Sequence, residues 1–196
     1  MPRTDTIKVW DPLVRLFHWA LVAAFTIAFI TEDDFLTLHT WAGYTVLGLL
    51  LVRMLWGLIG PRYARFSDFV RSPATVLGYL KDLLRLKAKR YIGHNPAGGA
   101  MIVLLLISLV LTTITGLAVY GAGENAGLLA GWLGQAGEFW AKIFEEVHEF
   151  FANFTLLLVV IHVAGVLFES LLHRENLIKA MLNGYKRVTS KQETVS

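Results

Sequence analysis

The chain has 196 residues, of which 55% are hydrophobic, 12% are aromatic and only 17% are charged, and its mean hydropathy is +0.54. This composition excludes an ordinary soluble domain and is typical of an integral membrane protein. The net charge of +3 and the pI near 9.2 do not indicate nucleic-acid binding, because the bases flank apolar segments and no separate soluble domain presents them.

Four apolar segments are long enough to cross a bilayer, which takes about 20 helical residues. They predict an all-α fold, an integral membrane bundle of four transmembrane helices. The first span is expected to be retained, because acidic residues precede it and no small-residue cleavage site follows it. The predicted spans cover residues 13–30, 38–59, 98–120 and 147–172.

The charges between the spans predict the orientation of the chain. The connection from the second to the third span is densely basic, and the two ends of the chain are basic as well. The first turn instead carries Glu32, Asp33 and Asp34, and the last loop sets Lys142 among glutamates. By the positive-inside rule, both termini face the cytoplasm of a bacterial inner membrane. Residues 1–188 are expected to form the transmembrane domain and residues 189–196 a cytoplasmic tail.

Two loops contain patterns typical of short interfacial helices. Ser72-Pro73 is a helix start, and leucines recur after it at helical spacing among lysines and arginines. This pattern predicts a basic helix lying on the cytoplasmic surface. In the last loop, residues 138–146 combine glutamates with aromatic side chains and predict a short amphipathic helix that caps the outer end of the bundle.

Four histidines fall within or at the edges of the predicted spans, where ionisable residues are rare. His148 and His162 are separated by about 21 Å along one helix and lie on nearly the same face of it. His39 shares the depth of His148 near the outer side, and His18 shares the depth of His162 near the inner side. Each pair is a candidate for holding one haem iron, for which imidazole is a good axial ligand.

Other interpretations of these histidines stay open at this point. A single buried histidine is often a structural residue or part of a proton path. Copper and zinc usually take a third or fourth ligand, and only Glu149 and Glu169 offer carboxylates near these faces. The chain has no cysteine, which excludes disulfides, cysteine-bound clusters and covalent haem attachment. Any haem is therefore b-type.

Several further residues are candidates for the surroundings of the cofactor. Gly43 and Gly165 lie one turn from His39 and His162 and leave room for a flat macrocycle, although ordinary helix packing also uses such glycines. Arg15 and Arg53 are candidates to pair with haem propionates or quinone, with snorkelling to the interface as the alternative. His94, which precedes the third span, is expected to cap that helix or to line a quinone pocket. The third span has no histidine and is expected to be a wall of the bundle.

The arrangement resembles the bacterial cytochrome b561 family and the related b-type cytochrome subunits of nickel–iron hydrogenases. The similarity extends over nearly the whole chain, and the set of motifs in this order is specific. The matching segments are residues 9–19 (VWDPLVRLFHW), 39–44 (HTWAGY), 90–99 (RYIGHNPAGG), 148–149 (HE) and 161–163 (IHV).

The resemblance implies two bis-histidine haems b and transfer of electrons between a membrane quinone, ubiquinone or menaquinone, and a periplasmic redox partner. A c-type cytochrome or another redox protein is expected to dock on the acidic outer face. One alternative is an enzyme in its own right, a superoxide:quinone oxidoreductase, and another is a haem-bearing membrane anchor subunit of a hydrogenase or dehydrogenase. A helical transporter that uses its histidines as a proton relay is the alternative without redox chemistry. No catalytic residue is assigned, and the span count favours a b561-type carrier over a hydrogenase subunit.

Overall fold

The computed structural model describes residues 4–32 and 35–189, and four of its helices are long and apolar enough to span a membrane. They confirm the predicted all-α membrane fold. The first three lie within a few residues of the predicted spans, whereas the fourth begins well before the expected position. The four are α1 (Pro12–Ile30), α2 (Leu36–Ile59), α5 (Pro96–Gly123) and α7 (Glu138–Leu172).

Shorter elements fill the connections and the two ends of the described chain. A turn of 3-10 helix at Arg62–Ala64 precedes the first of the short α-helices. One strand comes before the first long helix, and a second strand follows the last short helix. The short elements are α3 (Phe66–Phe69), α4 (Pro73–Leu84), α6 (Ala130–Leu133), α8 (Leu177–Asn183), β1 (Thr4–Lys8) and β2 (Tyr185–Thr189).

The amphipathic segment expected as a separate helix at residues 138–146 is continuous with the fourth long helix. Backbone hydrogen bonding runs without a break from Glu138 to Leu172. The prediction of a separate cap was therefore wrong, and its glutamates and aromatic side chains occupy the first turns of α7. The helix begins after Gly137, whose φ of +81° suits a glycine at a chain reversal.

A two-stranded antiparallel sheet joins the two ends of the described chain, and it was not predicted. Ile7 of β1 pairs with Lys186 of β2. Gly184 precedes β2 with a φ of +88°, and its carbonyl accepts hydrogen bonds from the backbone N–H groups of Val9 and Trp10. Since β2 runs to Thr189, the sheet crosses the predicted boundary at 188/189. The rest of the predicted tail, from 190, lies outside the described residues, as do Asp33 and Asp34.

Helix α4 forms where the loop pattern predicted it, and its position on a membrane surface stays a prediction. The Ser72 hydroxyl accepts a hydrogen bond from the backbone N–H of Thr75, which caps the first turn. Tyr79 is buried on one side of the helix, whereas Leu77, Leu80 and Leu84 are exposed on the other. An exposed row of leucines between basic residues is what an interfacial helix needs.

The chain divides into two compact units. The first contains residues up to Trp19, Arg53–Ile102 and residues from His162 onward, and the second contains Ala20–Val52 and Val103–Ile161. All but one of the 18 lysines and arginines belong to the first, so we name it the basic unit. The second, whose single base is Lys142, is the acidic unit.

Candidate haem sites

In the acidic unit, the predicted pair of His39 from α2 and His148 from α7 comes together. The two ring centres are 6.0 Å apart, and the ring planes are nearly perpendicular at 87°. A ring nitrogen binds a transition metal at about 2 Å and lies roughly 1 Å from the ring centre, so two imidazoles on opposite sides of one metal have centres about 6 Å apart. The observed separation therefore fits a shared iron.

Backbone carbonyls determine the proton positions of both rings in the acidic unit. The Nδ1 atom of His39 lies 2.9 Å from the carbonyl oxygen of Ala28, and Nδ1 of His148 lies 2.9 Å from that of Thr112. A carbonyl only accepts hydrogen bonds, so each Nδ1 must carry the proton. Each Nε2 then keeps its lone pair, which is the form in which a histidine ligates a metal while its other nitrogen donates.

Helix α5 positions His148, although it has no histidine of its own. The Thr112 carbonyl accepts the proton of His148 Nδ1, and the Thr115 hydroxyl lies 3.3 Å from the same nitrogen. A Cβ at Gly116 would approach His148 Cε1 to 2.9 Å, so glycine makes room for the ring. The expected wall of the bundle is therefore an orienting element, and the glycine that ends the TTITG run was its one sequence signal.

Hydroxyl groups also connect α5 with α7 beyond His148. Ser108 and Thr155 are almost fully buried, and their side-chain oxygens are 2.6 Å apart. The Thr112 hydroxyl lies 3.1 Å from that of Thr155. Such contacts between membrane helices satisfy polar groups that lipid cannot, and they hold α5 in the position from which it orients His148.

Two of the predicted cradle glycines border open space. A Cβ built on Gly43 of α2, one turn from His39, meets no atom within 4 Å, and the same is true of Gly165 near His162. Neither glycine is therefore needed for packing between the described helices. Open space of the same kind borders Gly48 and Gly123, so it does not by itself mark a cofactor. In the acidic unit, the free Nε2 atoms and the 6.0 Å between the ring centres are what fit a haem.

In the basic unit, His18 of α1 and His162 of α7 are close enough to interact electrostatically. The surroundings of His18 differ from those of the acidic pair. Its Nδ1 is buried without a hydrogen-bond partner among the described residues, and Trp19 packs edge-on against its ring at 4.9 Å. Both residues belong to the basic unit, and their pairing stays a prediction. Among the described residues, no backbone carbonyl sets the proton position of His18.

The two predicted arginines also belong to the basic unit. Arg15 donates from Nη2 to the carbonyl of Leu182 at the end of α8, while its Nε is buried without a partner in the described residues. Arg53 is only 4% exposed, so it does not snorkel to the surface. Its guanidinium lies 4.9 Å from the ring centre of Phe66, and its Nη1 has no described partner. An unpaired buried donor of this kind suits an anionic group such as a propionate.

His94 does not cap the third long helix, because the Asn95 side chain accepts the hydrogen bond from the Gly98 N–H at 2.7 Å. The His94 ring lies between Trp10 and Phe69, at 4.5 and 4.7 Å between ring centres. Its Nδ1 is buried without a described partner. Burial, with the neighbouring charges of Arg53 and Lys186, lowers the pKa of His94 to about 3, so the ring is neutral at physiological pH.

The paired histidines lack the additional ligands that zinc and copper usually require. Within residues 4–32 and 35–189, no three His, Asp or Glu side chains are grouped as a metal ion would require. A zinc or copper centre with three or four protein ligands therefore has no candidate in the described chain. A haem iron would need only the two imidazoles of such a pair as its protein ligands.

A membrane protein with paired imidazoles of this kind is of the class of b-type membrane cytochromes. Residues 9–184 match the model of the family described as prokaryotic cytochrome b561, and the chain belongs to that family. The family is one of haem b proteins, so haem b is the cofactor that membership implies.

Among individual proteins, the chain is similar to probable Ni/Fe-hydrogenase B-type cytochrome subunits. It is 25% identical to that of Cupriavidus necator over 91% of this chain and 86% of the relative. It is 26% identical to that of Azotobacter chroococcum over 94% of this chain and 90% of the relative. The probable Ni/Fe-hydrogenase 1 B-type cytochrome subunit of Escherichia coli K12 is 25% identical over 91% and 89%. No solved structure shows significant similarity to the chain.

Proposed function

We propose that this chain holds two haems b, one between His39 and His148 and the other between His18 and His162, and conducts electrons across the membrane. The observation that carries the proposal is the acidic pair, with ring centres 6.0 Å apart and both Nδ1 atoms directed at backbone carbonyls. Haem b supplies a reversible one-electron iron couple when it is bound. The protein's part is to orient the ligands, exclude water and set the local charge.

The distribution of charge supports the predicted orientation. Lysines and arginines are confined to the basic unit apart from Lys142, while glutamates predominate in the acidic unit. This separation is what the positive-inside rule requires of a protein whose basic unit lies on the cytoplasmic side. In a bacterial inner membrane, the His39–His148 level would then be nearer the periplasm, and both termini would be cytoplasmic.

The relatives favour a hydrogenase-type partner over a soluble c-type cytochrome. Three similar proteins are named as hydrogenase cytochrome subunits, and they align over most of their own length. This outweighs the span count, from which the sequence alone favoured a free b561-type carrier. The acidic unit also exposes Trp132, Phe139 and Glu138, residue types suited to contact with a partner protein. We therefore assign the chain the role of the haem-bearing membrane subunit of a hydrogenase-like complex.

A quinone is the proposed electron acceptor, bound at the basic unit. The unpartnered Nδ1 of His94 and Nη1 of Arg53 are both buried, and they belong to one electrostatic neighbourhood. The neutral imidazole of His94 supplies a polar contact for a quinone oxygen, and the guanidinium of Arg53 adds positive charge nearby, while Trp10 and Phe69 supply flat apolar walls. Ubiquinone and menaquinone both present a quinone oxygen of this kind.

Superoxide:quinone oxidoreductase activity is less well supported. A small anion would approach the acidic unit, where Lys142 is the one base and Glu138, Glu145, Glu146 and Glu149 are exposed. Like charges lower the local concentration of an anionic substrate, whereas a basic protein partner would be attracted. The acidic surface thus favours protein docking.

The decisive experiment is a pyridine haemochrome assay on the purified full-length chain, with protein quantified independently. We expect two b haems per chain, and reduction by a short-chain quinol that stops when His94→Phe removes the polar contact. A colourless protein would refute the cytochrome and support a proton-relay transporter, and one haem per chain would refute the two-level arrangement. Two haems that a quinol does not reduce would leave the cytochrome and refute the quinone site.

A further inference from the structure

Three titratable side chains meet at the end of α7, away from the histidine pairs. The Tyr79 hydroxyl of α4 donates a hydrogen bond of 2.6 Å to Glu169 Oε1. On the other side of the carboxylate, His173 Nε2 lies 3.1 Å from Glu169 Oε2. Glu169 and Tyr79 are 9% and 6% exposed, so the carboxylate is held inside the protein. We name these three residues the Glu169 cluster.

The charged groups that face the cluster come from a second network. Lys186 of β2 is buried and interacts electrostatically with Glu169, but its ammonium lies 3.5 Å from Glu175. Glu175 also pairs with Arg90 at 2.8 Å. Burial lowers the pKa of Lys186, and Glu175 opposes that shift. The described direct contacts of Glu169 are those with Tyr79 and His173.

The partners of Glu169 have different roles. Burial and the hydrogen bond to Glu169 both raise the pKa of Tyr79, so its hydroxyl remains a fixed donor at any physiological pH. The side chain of His173 follows the last residue of α7 and is 14% exposed, while its Nε2 is buried beside Glu169 without a hydrogen bond among the described residues. A purely structural tie between α4 and α7 would need the tyrosine but not the histidine.

The Glu169 cluster is aligned with His162 on the same helix. Seven residues separate Glu169 from His162, which is close to two turns of α7, so both side chains lie on nearly the same face. The axial distance is about 10 Å. A charge at that distance in a membrane protein is weakly screened, and an electron added near His162 makes a buried carboxylate less favourable.

We propose that Glu169 and His173 form a proton-binding site coupled to reduction of the haem that His162 holds. This inference rests on the proposed function. When one electron from the protein partner reduces the haem that His162 would hold, one proton passes from water through His173 to the Glu169 carboxylate. No bond to the iron forms or breaks. Tyr79 is a positioning residue that holds the carboxylate by its hydroxyl.

The test is a redox titration of the intact holoprotein at several values of pH between 5 and 9, following each haem by its absorbance. The wild-type midpoint potential of the haem held by His162 is expected to fall as pH rises, and Glu169→Gln is expected to lose most of that dependence. Redox-induced infrared difference spectra should show a protonated carboxyl band on reduction that Glu169→Gln lacks. The haem held by His39 and His148 should titrate alike in both proteins.

Two variants keep the result interpretable if Glu169→Gln folds poorly. Glu169→Asp retains a carboxylate and should retain the pH dependence of the haem potential. Tyr79→Phe should move this pH dependence to a different pH range without abolishing it. An unchanged slope in Glu169→Gln, or a wild-type potential independent of pH, overturns the proton site and leaves the haem assignment intact. A chain in which His162→Ala removes no haem overturns the proposed function itself, so the two failures are distinguishable.

Discussion

The two histidine pairs differ in what holds them. In the acidic unit, the Nδ1 atoms of His39 and His148 both lie 2.9 Å from backbone carbonyls. In the basic unit, Nδ1 of His18 is buried without a described partner, and so are atoms of Arg15, Arg53 and His94. Buried donors and acceptors are costly when unpaired, and they cluster where a ligand completes them. We infer that the acidic site is organised by the fold, whereas the basic site is completed by what it binds.

Removing a ligand is the strongest test of this comparison. His162→Ala and His18→Ala should each reduce the haem content from about two to about one per chain, because each removes one of the two imidazoles proposed to hold the haem of the basic unit. His39→Ala and His148→Ala should also reduce the haem content to about one per chain, and they should leave the spectrum of the haem held by His18 and His162. The haem-to-protein ratio measures the content, and the reduced spectrum identifies the haem that remains. Retention of two haems by any of the four refutes the pairing.

The next largest effect is expected at the orienting helix of the acidic site. Gly116→Ala places a methyl group 2.9 Å from His148 Cε1, so the ring must shift and the haem at that level should be lost or its spectrum changed. Gly123→Ala is the matched control on α5, because its added Cβ meets no atom within 4 Å. Equal haem content and spectra in the two variants would show that α5 does not orient His148.

The four spans and the meeting of His39 with His148 could be predicted from the sequence. Hydropathy alone located four spans, since a bilayer requires a length that few other structures need. Depth matching along α7 placed His39 with His148, whose rings lie 6.0 Å apart. Their role as ligands stays a prediction. Prediction from the sequence is less accurate where the local hydropathy pattern and the folded structure differ. Glutamates at the start of α7 lower the hydropathy, although the helix continues through them.

The parts that the sequence did not show depend on long-range contacts. Five residues at each end of the described chain pair as β1 and β2, and neither segment has a strong strand pattern by itself. The role of Gly116 depends on a ring from another helix, and the contact of Tyr79 with Glu169 joins residues 90 positions apart. Spacing within one helix predicts which side chains share a face, but it does not identify the helix that meets them.

Arg53 provides a smaller and more selective test on the basic side. Arg53→Gln removes a buried charge whose Nη1 has no described protein partner, so the protein without haem should lose little stability. If that atom pairs with a propionate, the haem at the His18–His162 level should dissociate about tenfold faster, as expected for loss of a charge-assisted bond. Arg62→Gln is the exposed control. Equal dissociation rates in the two variants would remove Arg53 from the haem site.

His94 should give the smallest effect, visible as a pH dependence of stability. Its pKa in the folded protein is about 3, below the ordinary value of 6.5, so the unfolded chain binds a proton first as pH falls. Stability is therefore lost on acidification below about pH 6.5, by about 1 kcal/mol between pH 6.5 and 5.5 from this residue. His94→Phe keeps the contacts with Trp10 and Phe69 and should remove that increment from the difference in Tm between pH 7.5 and 5.5.

The control for His94 is Ser72→Ala, which loses the cap of α4 and should cost about 1 kcal/mol equally at both pH values. An acid sensitivity of His94→Phe equal to that of wild type would mean that His94 titrates normally. The basic unit would then lack the neutral imidazole that the quinone proposal requires. If His94→Phe instead loses the acid sensitivity, protonation of His94 is unfavourable in the folded protein. The basic unit then contains a buried polar group that its own described residues leave unsatisfied, as the comparison of the two histidine pairs predicts.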